Sequence, residues 1–160
     1  MEKVDVFPMS QEHFDELQAK LQYNKNVRTQ EVAQLIKEAR EFGDLSENSE
    51  YDEAKNEQGK LAAEIADLEY TLNHAQIVDE SEVDTSIVSI GCFVTVLNLD
   101  NGRELPAFEI VGSKEADMTK RKLSDNSPFG RAVMGAKEGD EVAVEAPAGM
   151  IHYRITAIRR

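Results

Sequence analysis

Asp44 and Glu47 lie three residues apart in EFGDLSENSEY (residues 41–51), a segment with four acidic side chains, a glycine and no lysine or arginine. Carboxylates at that spacing admit three kinds of chemistry. They have the spacing of a helix capping box, and acids in a first turn are favoured by the helix dipole. They also suit a docking surface for another protein. Thirdly, at the mouth of a turn they can point the same way and offer oxygens to Mg²⁺, which takes octahedral oxygen ligands. Two ligands make an incomplete site, so water and another molecule would have to supply the rest.

The common hydrolytic constellations are missing from the 160 residues, which disfavours independent catalysis. His13, His74 and His152 have no HExxH spacing, and neither GxSxG nor a GxxxxGK phosphate loop occurs. The single cysteine, Cys92, excludes an intramolecular disulfide and reads as a small strand residue. The net charge of −13 is uneven: residues 1–78 carry 17 acids and 8 bases, residues 79–84 add four acids, and residues 85–160 balance at 10 and 10. Such a field repels nucleic acid, whose binding needs clustered Lys and Arg. No run of 18 apolar residues could span a bilayer, and MEKVDVFPMSQEH lacks the apolar core of a signal peptide, so the expected location is the cytoplasm, away from membranes.

The elements that must position Asp44 and Glu47 follow from the apolar spacing. Ser10 suits a helix N-cap, after which Phe14, Leu17 and Leu21, then Val32, Leu35 and Ala39, recur at three and four. One long amphipathic helix is expected to end near Gly43, with Asn24-Lys25-Asn26 and Thr29 marking a local irregularity. From Tyr51 a heptad seam runs through Tyr51, Gln58, Ile65 and Leu72 and through Ala54, Leu61, Leu68 and Ala75. Neither stripe can be buried alone, so residues 1–78 should form an antiparallel coiled-coil hairpin with its acidic tip near 43–50. Roughly 30 residues at about 1.5 Å each make a rod of about 45 Å.

The acidic stretch 79–86 reads as a linker, after which the periodicity becomes two. Strands are expected at 90–97, 107–111, 141–144 and 150–158, with a hairpin over 140–158 and a short helix capped by Ser127 with Pro128 in its first turn. The chain is therefore α+β with two domains, the second over 87–160.

Two signatures carry a resemblance. EAREFGDLSENSEYDEAKNEQG (residues 38–59) and SDNSPFGRAVMGAKEGDEV (residues 124–142), with PMSQEHFDEL and EIVGSKEAD before and between them, are similar to the tip and C-terminal signatures of the Gre family of bacterial transcript cleavage factors. The resemblance covers nearly the whole chain. It implies an N-terminal antiparallel coiled coil and an FK506-binding-protein-like C-terminal domain with an antiparallel sheet. It implies a monomeric partner of bacterial RNA polymerase whose globular domain docks at the rim of the secondary channel while the coiled coil reaches the active centre. The family's essential acidic pair falls on Asp44 and Glu47, which would help hold the second catalytic Mg²⁺ shared with the polymerase; no metal is expected to bind the free protein tightly. The family's basic patch, which meets the 3′ end of the nascent RNA, matches Arg40 and Lys55, a thin patch whose alternative reading is helix-surface ion pairing. The polymerase-docking loop matches Ser124, Asp125, Asn126, Ser127 and Pro128.

The function implied is stimulation of the polymerase's own cleavage of backtracked RNA, with the protein a cofactor and not itself an enzyme. Some Gre-like relatives inhibit the polymerase from the same channel; retention of Asp44 and Glu47 favours the stimulating class. From other classes come a peptidyl-prolyl isomerase or chaperone, for which Phe93, Phe108, Phe129 and Tyr153 are the candidate pocket aromatics, and a coiled-coil adaptor in which Asp44 and Glu47 would be dispensable.

Overall fold

The computed structural model describes residues 5–41 and 48–160, so Asp44 and Glu47 lie outside the described residues. The chain divides into two compact units, Phe14–His74 and a second made of Met1–His13 with Ala75–Arg160.

The helical unit is a hairpin. Helix α1 (Gln11–Tyr23) runs through a π-helical turn (Asn24–Arg28) into α2 (Thr29–Glu41). The Thr29 N–H and hydroxyl both donate to the Asn24 carbonyl, closing the wider turn where the sequence suggests an irregularity. The turn shifts the phase of the apolar stripe. Val32, Ile36 and Ala39 are buried, whereas Leu35, expected in the seam, is 48% exposed. A continuous three-and-four pattern places Leu35 inward; the wide turn adds a residue and brings Ile36 there instead.

Helix α3 (Ser49–Asn73) returns antiparallel to α2. Ala54 joins Val32 and Ile36 in one cluster, with Tyr51 and Leu61 packed against it, and Leu68 is buried further along. Gln58, read as a seam residue, is exposed, and Ala75 has left the helix for a strand. A polar Gln at one heptad position turns out to solvent because its amide would lose hydrogen bonds in the seam. Lys20–Glu64 and Lys25–Glu69 pair across the hairpin at 3.0 and 2.6 Å. They are about half exposed and contribute little.

The other unit begins with a parallel pair that the sequence does not announce, β1 (Phe7–Met9) beside β2 (Ala75–Ile77), in register Phe7 to Ala75 and Met9 to Ile77. The expected boundaries at 78 and 87 are displaced accordingly: the first 13 residues belong with the sheet unit. The acidic linker is also folded against it. Asp79 caps a 3₁₀ turn at Glu80–Glu82, Val83 is buried, and the Arg160 guanidinium donates to the Ser81 carbonyl at 2.6 Å.

The main sheet has β3 (Phe93–Asn98), β4 (Phe108–Val111), β5 (Lys122–Ser124), β6 (Glu141–Ala146) and β7 (Gly149–Arg159), in the order β5-β4-β3-β7-β6. The β6–β7 hairpin forms as expected. One pair departs from the expected antiparallel sheet: β5 lies parallel to β4. A 3₁₀ turn at Met118–Lys120 and left-handed Arg121 (φ 56°) reverse the chain into it. Helix α4 (Pro128–Val133) closes the core, in which Val88, Cys92, Val94, Val96, Ile110, Val133 and Ile155 are at most 1% exposed. No helix among the described residues is long and apolar enough to cross a membrane.

Candidate functional site

The hairpin's last described residues before the acidic segment are those of α2, and the first after it is Asn48. Asn48 is the N-cap of α3: its side-chain oxygen accepts from the Tyr51 N–H at 3.1 Å, while its Nδ2 donates to the Ala39 carbonyl at 2.5 Å. The cap role that the Asp44–Glu47 spacing suggests is filled, for α3, by Asn48. Glu50 and Asp52 add carboxylates in the first turn, where the helix dipole favours them.

Of the two expected basic residues, Arg40 lies over the Tyr51 ring at 5.9 Å from its centroid, a weak cation–π distance. Lys55, one helical turn beyond Tyr51, donates to Gln58 at 3.1 Å. Both are exposed. Elsewhere between α2 and α3, Leu35, Ala39 and Ala54 floor a groove of about 380 Å³ bordered by Glu38, Glu50, Glu53 and Glu57. The described part of the hairpin near the acidic segment thus carries more carboxylates than cations, with Arg40 and Lys55 among the few cations there.

In the sheet unit the structure brings Ser124, Asp125, Asn126, Ser127 and Pro128 together as one tight loop between β5 and α4. The Ser127 hydroxyl accepts from the Gly130 N–H at 3.0 Å and donates to the Ser124 carbonyl at 2.6 Å, and the Asn126 N–H donates to the Ser124 hydroxyl at 3.0 Å. The Asp125 N–H donates to the Val111 carbonyl at 2.9 Å. Gly130 is required here, because a Cβ on it would lie 1.9 Å from the Ser124 oxygen. Ser127 and Pro128 therefore build the helix start, as expected. The Asp125 carboxylate takes no part in the cap; its side-chain contact is the Ser124 hydroxyl, at 3.5 Å.

The aromatics weighed for a proline pocket are largely used in packing. Phe108 and Phe129 rings lie 5.3 Å apart, Phe129 and Tyr153 5.7 Å apart, and Phe129 packs on the core. Phe93 is 40% exposed at the start of β3. The histidines are separate: His13 contacts the Lys114 carbonyl, His74 that of Tyr70, and His152 faces Asp100.

Sequence reasoning missed one polar cluster. Glu115, 4% exposed, accepts from the Ser10 N–H and hydroxyl, each at 2.9 Å, and from Lys122 at 3.1 Å; Lys122 also lies 4.0 Å from Glu109. Burial pushes the Glu115 carboxyl up, but the Ser10 bonds and the Lys122 ammonium outweigh it and hold it below the ordinary value. Burial dominates at Glu109, whose carboxyl is raised despite Lys122. Burial likewise pulls the Lys122 ammonium down, and the two glutamates more than restore it. The available signal was Ser10 as a cap; its partner 105 residues away had none.

Residues 7–77 match the family described as transcription elongation factor, N-terminal, and residues 82–160 match transcription elongation factor, GreA/GreB, C-term. Transcription elongation factor GreA of Thermoanaerobacter pseudethanolicus is 49% identical over 152 residues, 95% of this chain and 96% of the relative. GreA of Thermosipho africanus is 44% identical over 99% of both chains. Among solved structures, GreA factor homolog 1 (Gfh1) of Thermus thermophilus is 27% identical, with 98% of this chain and 100% of that one covered, at a TM-score of 0.45.

Proposed function

This chain belongs to the GreA/GreB family of transcription elongation factors, and on that premise we propose that Asp44 and Glu47 complete a metal site owned mainly by RNA polymerase. The protein is a transcription elongation factor that acts on RNA polymerase and stimulates cleavage of backtracked transcripts. The observation that carries the finer reading is positional. Asp44 and Glu47 fall in the six-residue segment that joins α2, ending at Glu41, to α3, capped by Asn48. That segment links the two arms of a hairpin whose second helix, 25 residues long, extends about 37 Å.

Among the described residues no group of three or more His, Cys, Asp or Glu side chains is placed to hold a metal ion. Asp44 and Glu47 would supply two of the oxygen ligands of a Mg²⁺ ion, and polymerase carboxylates and water the others. Such an ion, when bound, lowers the pKa of a water and stabilises the leaving oxygen in phosphodiester hydrolysis. This chain's part is to carry two carboxylates down the polymerase's secondary channel. Arg40 and Lys55 meet the phosphates near the RNA 3′ end. Asp125, free of the cap, contacts the rim of the channel, and the protein works as a monomer in the cytoplasm.

The test is transcript cleavage by a stalled, backtracked polymerase with the wild type and with Asp44→Asn plus Glu47→Gln. Loss of charge without change of shape should abolish stimulation while binding persists. Normal stimulation by the double variant would refute the ligand role, and inhibition by the wild type would place the chain with channel-binding inhibitors.

A further inference from the structure

Asn48 uses both ends of one side-chain amide. Its Oδ1 accepts from the Tyr51 N–H in the first turn of α3, and its Nδ2 donates to the Ala39 carbonyl in the last turn of α2. The partners settle the orientation: turned over, the amide would set NH₂ against N–H and oxygen against carbonyl. Ala39 is 3% exposed, so one anchor lies in the packed seam beside the cluster of Val32, Ile36 and Ala54. The Asn48 carbonyl also accepts from the Asp52 N–H at 3.2 Å. A single side chain thus ties together the two flanks of the segment that carries Asp44 and Glu47, across nine positions.

We propose that Asn48 is a positioning residue for transcript cleavage: it ties the last turn of α2 to the first turn of α3, the two helices that flank Asp44 and Glu47 in the chain. The inference rests on the ligand role proposed above. A cap alone does not call for asparagine, since aspartate, serine and threonine also cap well. Only an amide adds, on a second atom, a donor for the Ala39 carbonyl. Sites of this kind need their groups held within about 0.5 Å, and a misplacement of about 1 Å can cost about 100-fold in rate.

The decisive variants are Asn48→Asp and Asn48→Ser, in the full-length protein. Each keeps an oxygen for the Tyr51 N–H, and neither has a second atom that can donate to the Ala39 carbonyl. Agreement between the two excludes the negative charge of the aspartate variant as the cause. With stalled, backtracked polymerase, the factor concentration at half-saturation and the thermal midpoint should stay near wild type. The saturating cleavage rate should fall about 10- to 100-fold, and the Mg²⁺ concentration giving half the maximal rate should rise. Wild-type rate and Mg²⁺ dependence in both variants would overturn the proposal. So would a loss of rate that follows a lowered thermal midpoint and disappears on cooling, because that is the signature of a purely structural cap. Asp44→Asn plus Glu47→Gln is assayed alongside. If that double variant is inactive while both Asn48 variants behave as wild type, only the positioning role fails; if the double variant stimulates normally, the ligand role fails and takes the positioning role with it.

Discussion

The Glu115 carboxylate accepts both the backbone N–H and the hydroxyl of Ser10, each at 2.9 Å, across 105 residues of chain. Ser10 in turn caps α1 through the His13 N–H at 3.2 Å. One buried acid therefore anchors the start of the first helix to the turn after β4. Removing it with Glu115→Ala leaves Lys122 beside Glu109 alone and should cost about 3 kcal/mol. Ser10→Ala, which loses a cap and a carboxylate donor, should cost about 1–2 kcal/mol. Urea unfolding followed by circular dichroism measures both.

The same cluster sets an acid dependence with two opposed parts. Glu115 is held below the ordinary glutamate value of 4.5, so its stabilisation is present above that value and is lost as pH falls through the folded-state pKa. Glu109 is raised above 4.5, so its contribution is present below 4.5 and is lost as pH rises through its folded-state pKa. Relative to wild type, Glu115→Gln should be least stable above pH 4.5 and converge with it in acid. Glu109→Gln should gain on the wild type as pH rises past 4.5. Unfolding free energies from about pH 3 to 7 give both differences, and identical curves for all three proteins would contradict the assignment.

In the loop after β5, stability and docking separate by residue. Ser127→Ala removes the oxygen that serves Gly130 and should lower the stability of the sheet unit by about 1 kcal/mol. Asp125→Arg should leave the thermal midpoint in place but weaken polymerase binding about tenfold, a change of about 1.4 kcal/mol, with altered salt dependence. A competition assay at two ionic strengths decides this, and unchanged affinity would remove Asp125 from the docking surface.

Gly130→Ala tests the close approach of α4 to β5. The added methyl cannot lie 1.9 Å from the Ser124 oxygen, so the loop must shift, at a cost of about 2–3 kcal/mol. Binding to polymerase should fall with it. A thermal midpoint equal to wild type would show that the approach is not as close as described.

The π-helical turn makes a prediction that reverses the simple heptad reading. Leu35→Lys should be nearly neutral, because Leu35 is 48% exposed, whereas Ile36→Ala should cost about 2 kcal/mol or more. Equal losses at the two positions would mean that the stripe runs through Leu35 after all.

Much of the hairpin was legible because its signals are local. Spacings of three and four around Phe14, Leu17 and Leu21, and heptads through Ala54, Leu61 and Leu68, depend on residues within two turns of one another. The irregularity at Asn24 was legible as a place, but its effect was not. A wider turn changes the phase of everything after it, and nothing within Leu35 or Ile36 records which of them then faces α3. The acidic segment stood out by composition alone, and Ser127 and Pro128 by the chemistry of helix starts.

Taken by itself, the sequence determined the α+β division, the antiparallel hairpin, the β6–β7 ribbon and the placing of Asp44 and Glu47 between two helices. Only the tertiary structure decided that β1 joins β2, that the acidic 79–86 stretch folds onto the sheet, that β5 runs parallel to β4, and that Glu115 finds Ser10. Only there, too, does Asn48 meet Ala39. Helix, turn and capping preferences act over a few residues and can be read in order along the chain. Pairings across 9 to 105 positions depend on where the folded chain returns, and a buried donor or acceptor takes whichever partner that return brings within reach.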